Sequence, residues 1–279
     1  LRCNLQCRHC GSDCKVDTAL QDMPAKDFFR VLDNEITPNV DPHKVLIILS
    51  GGEVLVRKDL EEIGLNLYRR GYPWGMVTHG LALTRQRLDS LIRSGLHSIT
   101  VSLDGFEEQH YHIRQNRDSF ARAVEAVRMI SADKELASDV VTCVTPALLP
   151  HLGKFKEFLY SLGVRDWRLF TIFPVGRAAQ DMSMQLNDEE FTYVMQFIER
   201  TRKEGRIKAS YGCEGFLGEY EGLVRDHLFT CQAGLSISSV MIDGSVSACA
   251  SIRSDLAQGN IYKDDFIDIW ENRYQPYRD

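Results

Sequence analysis

The sequence predicts an α/β protein in which a partial β/α barrel precedes a small C-terminal α+β domain. Short segments rich in β-branched residues alternate with amphipathic helical segments through about residue 173. Three helical segments are followed by Gly71, Gly95 and Gly163, as is typical of helix C-caps. The alternation stops after Pro174. Strand–helix alternation of this kind favours a parallel sheet.

The first part of the chain contains five predicted strands, at residues 45–49, 74–78, 97–103, 140–144 and 168–173. The predicted helices between them lie at residues 59–70, 85–94, 119–130 and 152–162. A further strand before Cys3 gives the six strands of a partial (β/α)6 barrel. A flat, doubly wound sheet is the alternative, because periodicity alone does not separate the two arrangements.

The second part of the chain has a different order of predicted helices and strands. A helix is predicted at residues 188–204 and is followed by a glycine-rich stretch at residues 212–222. Two short strands around Asp243-Gly244 predict a hairpin, and a short helix is predicted at residues 265–270. We therefore expect two domains, at residues 1–180 and 181–279, the second of which is incomplete.

Composition excludes some classes of function. The chain has 279 residues and a formal net charge of −6, which argues against general binding to nucleic acid or to anionic membranes. No run of roughly 18 apolar residues predicts a transmembrane helix. Leu1 is not a methionine, so the numbered chain is expected to be part of a longer one. We expect a cytoplasmic protein.

Four of the eight cysteines, Cys3, Cys7, Cys10 and Cys14, fall within twelve residues. Loops this short close poorly as disulfides, whereas a metal centre gathers such ligands easily. The first three cysteines are separated by three and then two residues, and three thiolates can hold three irons of a [4Fe–4S] cube. The fourth iron is then open to a ligand, as a catalytic centre requires. A zinc or structural site that also uses Cys14 or His9 is the alternative.

This spacing resembles the signature of the radical S-adenosylmethionine (SAM) superfamily, and further segments resemble its other motifs in the same order. In chain order these segments are Ser50-Gly51-Gly52-Glu53, Thr78-His79-Gly80, Val101-Ser102-Leu103-Asp104-Gly105 and Ile113-Arg114. The resemblance implies a TIM-like partial (β/α)6 barrel that positions functional residues at its strand ends. It also implies that Cys3, Cys7 and Cys10 are the catalytic cluster ligands.

The same resemblance implies a set of residues that bind SAM: Gly51, Gly52, Glu53, Thr78, Ser102 and Arg114. In the superfamily, the residue matching Glu53 meets the methionyl amine, the one matching Ser102 meets the ribose, and the one matching Arg114 meets the carboxylate. His79 replaces the usual asparagine of its motif. Outside these motifs, Cys143 is expected to be a buried thiol, and His110 and His112 are expected to face solvent.

The C-terminal cysteines predict a second centre. Cys231 and Cys249 flank the predicted hairpin, which resembles the opening of a SPASM or twitch domain. That resemblance implies an auxiliary [4Fe–4S] cluster held by Cys213, Cys231 and Cys249; three unconnected thiols are the alternative. The segment Pro174-Val175-Gly176-Arg177-Ala178 resembles one that follows the sixth strand in enzymes with an added cluster domain.

Together these resemblances imply an enzyme that cleaves SAM reductively and abstracts hydrogen from a substrate with a 5′-deoxyadenosyl radical. The electron donor is expected to be a flavodoxin or ferredoxin. Modification of a peptide or protein is the principal hypothesis, and a step in small-molecule or tetrapyrrole cofactor biosynthesis is the alternative. A non-catalytic iron–sulfur or zinc module is a hypothesis of another class.

Overall fold

A six-stranded parallel sheet forms the main body of the computed structural model, which describes residues 1–16, 18, 21–212, 215–249 and 256–278. The strands are hydrogen-bonded in the order β1-β2-β3-β4-β5-β6. Their bounds are Ile47–Leu49 (β1), Trp74–Thr78 (β2), Leu96–Ser102 (β3), Ala137–Cys143 (β4), Asp166–Phe170 (β5) and Lys208–Tyr211 (β6). A doubly wound sheet reverses its strand order at a switch point. The sequential order found here confirms the partial barrel.

In the described part of the chain, seven α-helices precede or connect these strands. Their bounds are Ala25–Val31 (α1), Leu60–Arg69 (α2), Arg85–Arg93 (α3), Glu107–Arg114 (α4), Ser119–Ala132 (α5), Leu152–Ser161 (α6) and Asp188–Glu204 (α7). The fully buried Trp167 of β5 packs edge-on against Phe155 of α6 and Phe197 of α7. Gly64 of α2 lies so close to Trp74 that an added Cβ would come within 2.2 Å of the indole ring.

The sixth strand lies elsewhere than the sequence predicts. It is β6, which pairs in parallel with β5, whereas the chain before Cys3 contributes only an isolated bridge between Arg2 and Lys15. The strand was missed because it has four residues, of which only Ala209 and Tyr211 are buried. The sheet therefore continues past residue 180, and we propose that the domain boundary lies after Tyr211.

The C-terminal region is built on a second, antiparallel sheet of three strands, which confirms the predicted hairpin. Its bounds are Ser239–Val240 (β7), Ser245–Ser247 (β8) and Gly259–Asn260 (β9). Gly244 ends the hairpin turn with a φ of 83°, and its N–H donates to the Met241 carbonyl at 2.9 Å. This left-handed position favours glycine.

Two short helices, Phe266–Asp268 (α8) and Gln275–Arg278 (α9), follow the second sheet. A small apolar core that includes Val246, Ile269 and Tyr274 joins them to α1 through Val31. Among the described residues, no helix combines the length and the apolar character that crossing a bilayer requires.

Candidate active site

A cavity of about 290 Å³ lies at the carboxyl ends of the barrel strands. Residues 3–14, which we call the cysteine loop, contribute to its wall. Its walls include every residue that the sequence analysis assigned to the catalytic cluster and to SAM. These residues are Cys3, Cys7, Cys10, Gly51, Gly52, Glu53, Thr78, Ser102 and Arg114. They come from five separate segments, so the sheet topology, not sequence proximity, brings them together. Functional groups at strand ends are typical of β/α barrels.

The cysteine loop lies directly on the Gly51-Gly52-Glu53 segment. A Cβ on Gly52 would lie 1.9 Å from the Arg2 carbonyl oxygen and 3.3 Å from the Cys3 Cβ. The N–H of Glu53 donates to the same Arg2 carbonyl at 3.1 Å. Glycine at position 52 therefore lets the two backbones approach closely enough to position Cys3 over the cavity.

The three motif thiols have different environments. Burial raises the pKa of Cys3 to about 11 and also raises the pKa of Cys7. A hydrogen bond from the Cys14 thiol is the largest influence on Cys10 and lowers its pKa to about 5. Arg114 Nη1 lies 3.8 Å from Cys7 Sγ, where its charge stabilises a thiolate. Metal binding requires thiolates, so the contacts of Arg114 with Cys7 and of Cys14 with Cys10 favour ligation, whereas burial of Cys3 and Cys7 opposes their ionisation before a metal binds.

Glu53 is held rigidly in the wall of the cavity. It is 3% exposed, and its Oε1 accepts from the Leu55 N–H at 3.0 Å and from the Thr78 hydroxyl at 2.6 Å. Its Oε2 accepts from the His79 N–H at 3.0 Å, and His79 Nε2 lies 3.1 Å from the same oxygen. Thr78 therefore positions the Glu53 carboxylate in addition to lining the cavity.

Arg114 is anchored by Asp104, a residue that has no assigned role among the predicted site residues. Its Nε donates to Asp104 Oδ2 at 2.6 Å, and Asp104 is fully buried. Burial alone raises the pKa of the Asp104 carboxyl, but Arg114, His9 and His110 outweigh it and lower that pKa to about 2. Burial likewise lowers the pKa of Arg114, but the charge of Asp104 more than reverses this. Both groups are therefore charged.

The expectation that His110 faces solvent is wrong. The side chain of His110 is fully buried, because α4 turns it inward and its Nδ1 accepts from the Asp104 N–H at 3.1 Å. Burial is the main reason that its pKa is lowered to about 4. His112, in contrast, lies beside Arg8, 2.7 Å from its guanidinium. Side chains two positions apart on an α-helix point in nearly opposite directions, but α4 is not among the predicted helices, so the sequence prediction does not distinguish the two histidines.

The cavity contains further polar groups that the motifs did not predict, contributed by His9, Cys14 and Arg177. His9 Nδ1 and Arg177 Nη2 are buried and have no hydrogen-bond partner among the described residues. Such buried orphan atoms are costly unless a bound group satisfies them. A polar cofactor beside three thiols fits this wall. In a [4Fe–4S] cube each thiolate binds a different iron, so the three thiols have to surround the cube and do not have to converge on one metal ion.

The predicted auxiliary site is only partly described. Cys249 is half-buried two residues after β8, and Cys231 is exposed before β7. Cys213, the third predicted ligand, lies outside the described residues. The ligand set of this second centre therefore stays a prediction.

Comparison with protein-family models gives two matches. Residues 1–152, which are more than half of the chain, match the Radical SAM superfamily. The chain belongs to the radical SAM superfamily. Residues 231–279 match the SPASM iron–sulfur cluster-binding domain. The protein is therefore a radical SAM enzyme with a SPASM domain, and its cofactors are a [4Fe–4S] cluster, SAM and an auxiliary iron–sulfur cluster, as predicted.

Curated relatives match almost the whole chain at low identity. The AdoMet-dependent heme synthase of Methanosarcina barkeri is 24% identical over 286 residues, which cover 97% of this chain and 79% of the relative. The enzyme of the same name from Oleidesulfovibrio alaskensis is 22% identical and covers 96% of this chain and 71% of the relative.

Solved structures share the fold. Native anSMEcpe with bound AdoMet has a TM-score of 0.75 at 16% identity, covering 99% of this chain and 79% of that one. Streptococcus suis SuiB bound to the precursor peptide SuiA has a TM-score of 0.71 at 14% identity, covering 97% of this chain. The chain spans 62% of the length of SuiB. These likenesses confirm the partial barrel with its small C-terminal domain.

Proposed function

We propose that Cys3, Cys7 and Cys10 hold the catalytic cluster and that the cavity beside them binds SAM for reductive cleavage. The observation that carries this proposal is the single cavity that all nine predicted residues line. When bound, the cluster and SAM supply a 5′-deoxyadenosyl radical, which abstracts a hydrogen atom from the substrate. The protein contributes binding, orientation and exclusion of water.

The charged residues of the cavity suit the amino-acid part of SAM. Arg114 keeps its positive charge and presents a planar group suited to a carboxylate. Glu53 offers a carboxylate for an ammonium group, and its orientation is fixed by Thr78. Ser102, at the end of β3, supplies a hydroxyl for the ribose. The Asp104 carboxylate does not bind the cofactor in this proposal; it positions Arg114.

A tetrapyrrole is the substrate class that we propose. The sequence resemblances favour a peptide substrate, with tetrapyrrole biosynthesis as the alternative. Curated heme synthases match at least 96% of the chain, which supports the alternative. Peptide modification is the second candidate, favoured by the shared fold of SuiB bound to a precursor peptide. A flavodoxin or ferredoxin is the proposed electron donor for either substrate.

Anaerobic reconstitution with iron and sulfide, followed by SAM and dithionite, tests the chemistry. The wild-type chain should form 5′-deoxyadenosine, and Cys3→Ala should lose both the catalytic cluster and the product. Cys143→Ala is the matched control and should retain the iron content of the wild type. A chain that binds its full complement of iron and yields no 5′-deoxyadenosine would support a non-catalytic module instead.

A second experiment tests the substrate class. A porphyrin with propionate side chains, such as deuteroporphyrin IX with iron inserted, should shift its Soret band on binding and increase 5′-deoxyadenosine formation. If the porphyrin neither binds nor increases product formation, whereas a small peptide encoded beside this protein does, the peptide candidate replaces the tetrapyrrole.

A further inference from the structure

The segment that follows β5, residues 171–181, packs directly against the cysteine loop. Gly176 has a φ of 61°, and a Cβ there would lie 2.4 Å from the Gly11 carbonyl oxygen and 2.6 Å from that of Cys10. The next N–H, that of Arg177, donates to the Cys10 carbonyl at 3.1 Å. The left-handed backbone and the lack of space both require glycine, and the contact fixes Arg177 beside the loop.

The guanidinium of Arg177 binds the cysteine loop at several points. Its Nε donates to the Cys7 carbonyl at 2.8 Å. Its Nη1 donates to the Cys14 carbonyl at 2.9 Å and to Asp13 Oδ1 at 2.8 Å. Together with its backbone N–H, the residue thus connects the parts of the loop that carry Cys7, Cys10 and Cys14. Five donors in a rigid fork suit arginine to this role.

One nitrogen of the same guanidinium has no partner among the described residues. Arg177 Nη2 is buried, and Arg177 lines the cavity with the motif cysteines. Leaving a buried, charged donor without a hydrogen-bond partner is energetically costly. The sulfur atoms of an iron–sulfur cluster accept hydrogen bonds, and such bonds are among the features that set the cluster's reduction potential.

We propose that Arg177 is a positioning residue that clamps the cysteine loop and donates its Nη2 hydrogen to a sulfur atom of the catalytic cluster. The inference rests on the proposed function, because it requires the cluster to be held by Cys3, Cys7 and Cys10. A donated hydrogen bond and a nearby positive charge stabilise the more negative, reduced cluster. Arg177 therefore makes the cluster easier to reduce.

The structure offers a matched control for the clamp alone. Arg8 of the cysteine loop forms an ion pair with Asp181, which ends the same segment. Neither of these residues lines the cavity as the described residues form it. Asp181→Asn therefore weakens the attachment of the segment to the loop without removing a donor that faces the cluster.

The test measures the midpoint potential of the cluster whose EPR signal changes when SAM is added. It compares the anaerobically reconstituted wild type with Arg177→Gln, Arg177→Lys and Asp181→Asn. At one applied potential, Arg177→Gln should show a reduced-to-oxidised ratio about tenfold lower, a negative shift of about 59 mV for one electron. Arg177→Lys, which keeps the charge and loses the fork, should fall between Arg177→Gln and the wild type. Asp181→Asn should match the wild type.

The outcomes separate this inference from the proposed function. If the wild type binds iron and cleaves SAM but Arg177→Gln has the wild-type potential, the hydrogen bond to the cluster is refuted and the proposed function stands. If neither Arg177 variant retains iron, Arg177 acts only in folding the loop and the inference is also refuted. If the wild type itself binds no cluster at the N-terminal cysteines, the proposed function fails first.

Discussion

Replacing Gly52 by alanine should displace Cys3 and abolish loading of the catalytic cluster. The added Cβ would lie 1.9 Å from the Arg2 carbonyl oxygen, whereas ordinary contacts begin at 3.4 Å. The two backbones must therefore separate by about 1.5 Å to reach an ordinary contact distance. A well-packed protein interior resists a displacement of this size. Separation also breaks the bond from the Glu53 N–H to the Arg2 carbonyl. Overpacking costs about 1–3 kcal/mol and the lost hydrogen bond about 1 kcal/mol.

Two other glycines serve as controls for this change. Gly51→Ala meets no atom within 4 Å, but its φ of 127° makes the change costly by about 1–3 kcal/mol through backbone strain. Gly153→Ala, in α6, also meets no atom within 4 Å and should stabilise the helix by about 0.5–1 kcal/mol.

The assays for all three variants are urea unfolding of the apo-protein and iron content after anaerobic reconstitution. Gly52→Ala should be destabilised by about 2–4 kcal/mol, the sum of its two penalties, and should lose the catalytic cluster. Gly51→Ala should be destabilised without a clash against Cys3. If Gly52→Ala binds as much iron as Gly153→Ala, the close contact between the two segments does not position the ligand, and the reasoning is refuted.

Three further predictions concern buried groups around the cavity. Asp104→Asn leaves Arg114 charged and without its ion-pair partner, so urea unfolding should show that the free energy of unfolding falls by about 3–5 kcal/mol. The control Asp89→Asn, in an exposed ion pair, should lower it by about 1 kcal/mol or less. Equal losses in the two variants would contradict this prediction. Burial is the main reason that the pKa of His110 is lowered from 6.5 to about 4 in the folded protein. Between pH 6.5 and pH 4 the unfolded chain therefore binds more protons than the folded one. The unfolding free energy of the apo-protein should therefore decline as pH drops from 6.5 to 4, by up to about 3 kcal/mol, and an equal decline in His110→Gln would refute the assignment. Cys14→Ser should keep the iron content and the Mössbauer spectrum of the catalytic cluster, since three thiolates suffice, and loss of the cube would contradict a three-cysteine site.

The local motifs made part of the site predictable. The spacing of Cys3, Cys7 and Cys10 carries ligand chemistry within eight residues, and Gly51-Gly52-Glu53 is contiguous. Strands β2 and β3 were predicted because their β-branched residues are bounded by turn and capping glycines. The parallel register then brings their ends to one edge of the sheet. In these cases a short stretch of sequence contains the physical cause of the structure.

Other residues were not predictable because their partners are distant in sequence. Arg177 binds a carbonyl that is 170 positions earlier in the chain, and no local pattern specifies that contact. Asp104 has no predicted role of its own, because its partner Arg114 is brought beside it only by the fold of α4. The helix α4 is not among the predicted helices, because six of its eight residues are polar or charged and its apolar face is short: Glu107, Glu108, Gln109, His110, His112 and Arg114. Strand β6 is too short and too polar to show a clear alternation.

The most direct test of the account asks whether SAM binds the iron that Cys3, Cys7 and Cys10 leave open. Electron–nuclear double resonance of the reduced protein would be recorded with SAM carrying ¹⁵N in its amino group and ¹⁷O in its carboxylate. The account predicts hyperfine coupling of both labels to the cluster. A fully loaded protein in which neither label couples, or a zinc ion in place of the cluster, would contradict it.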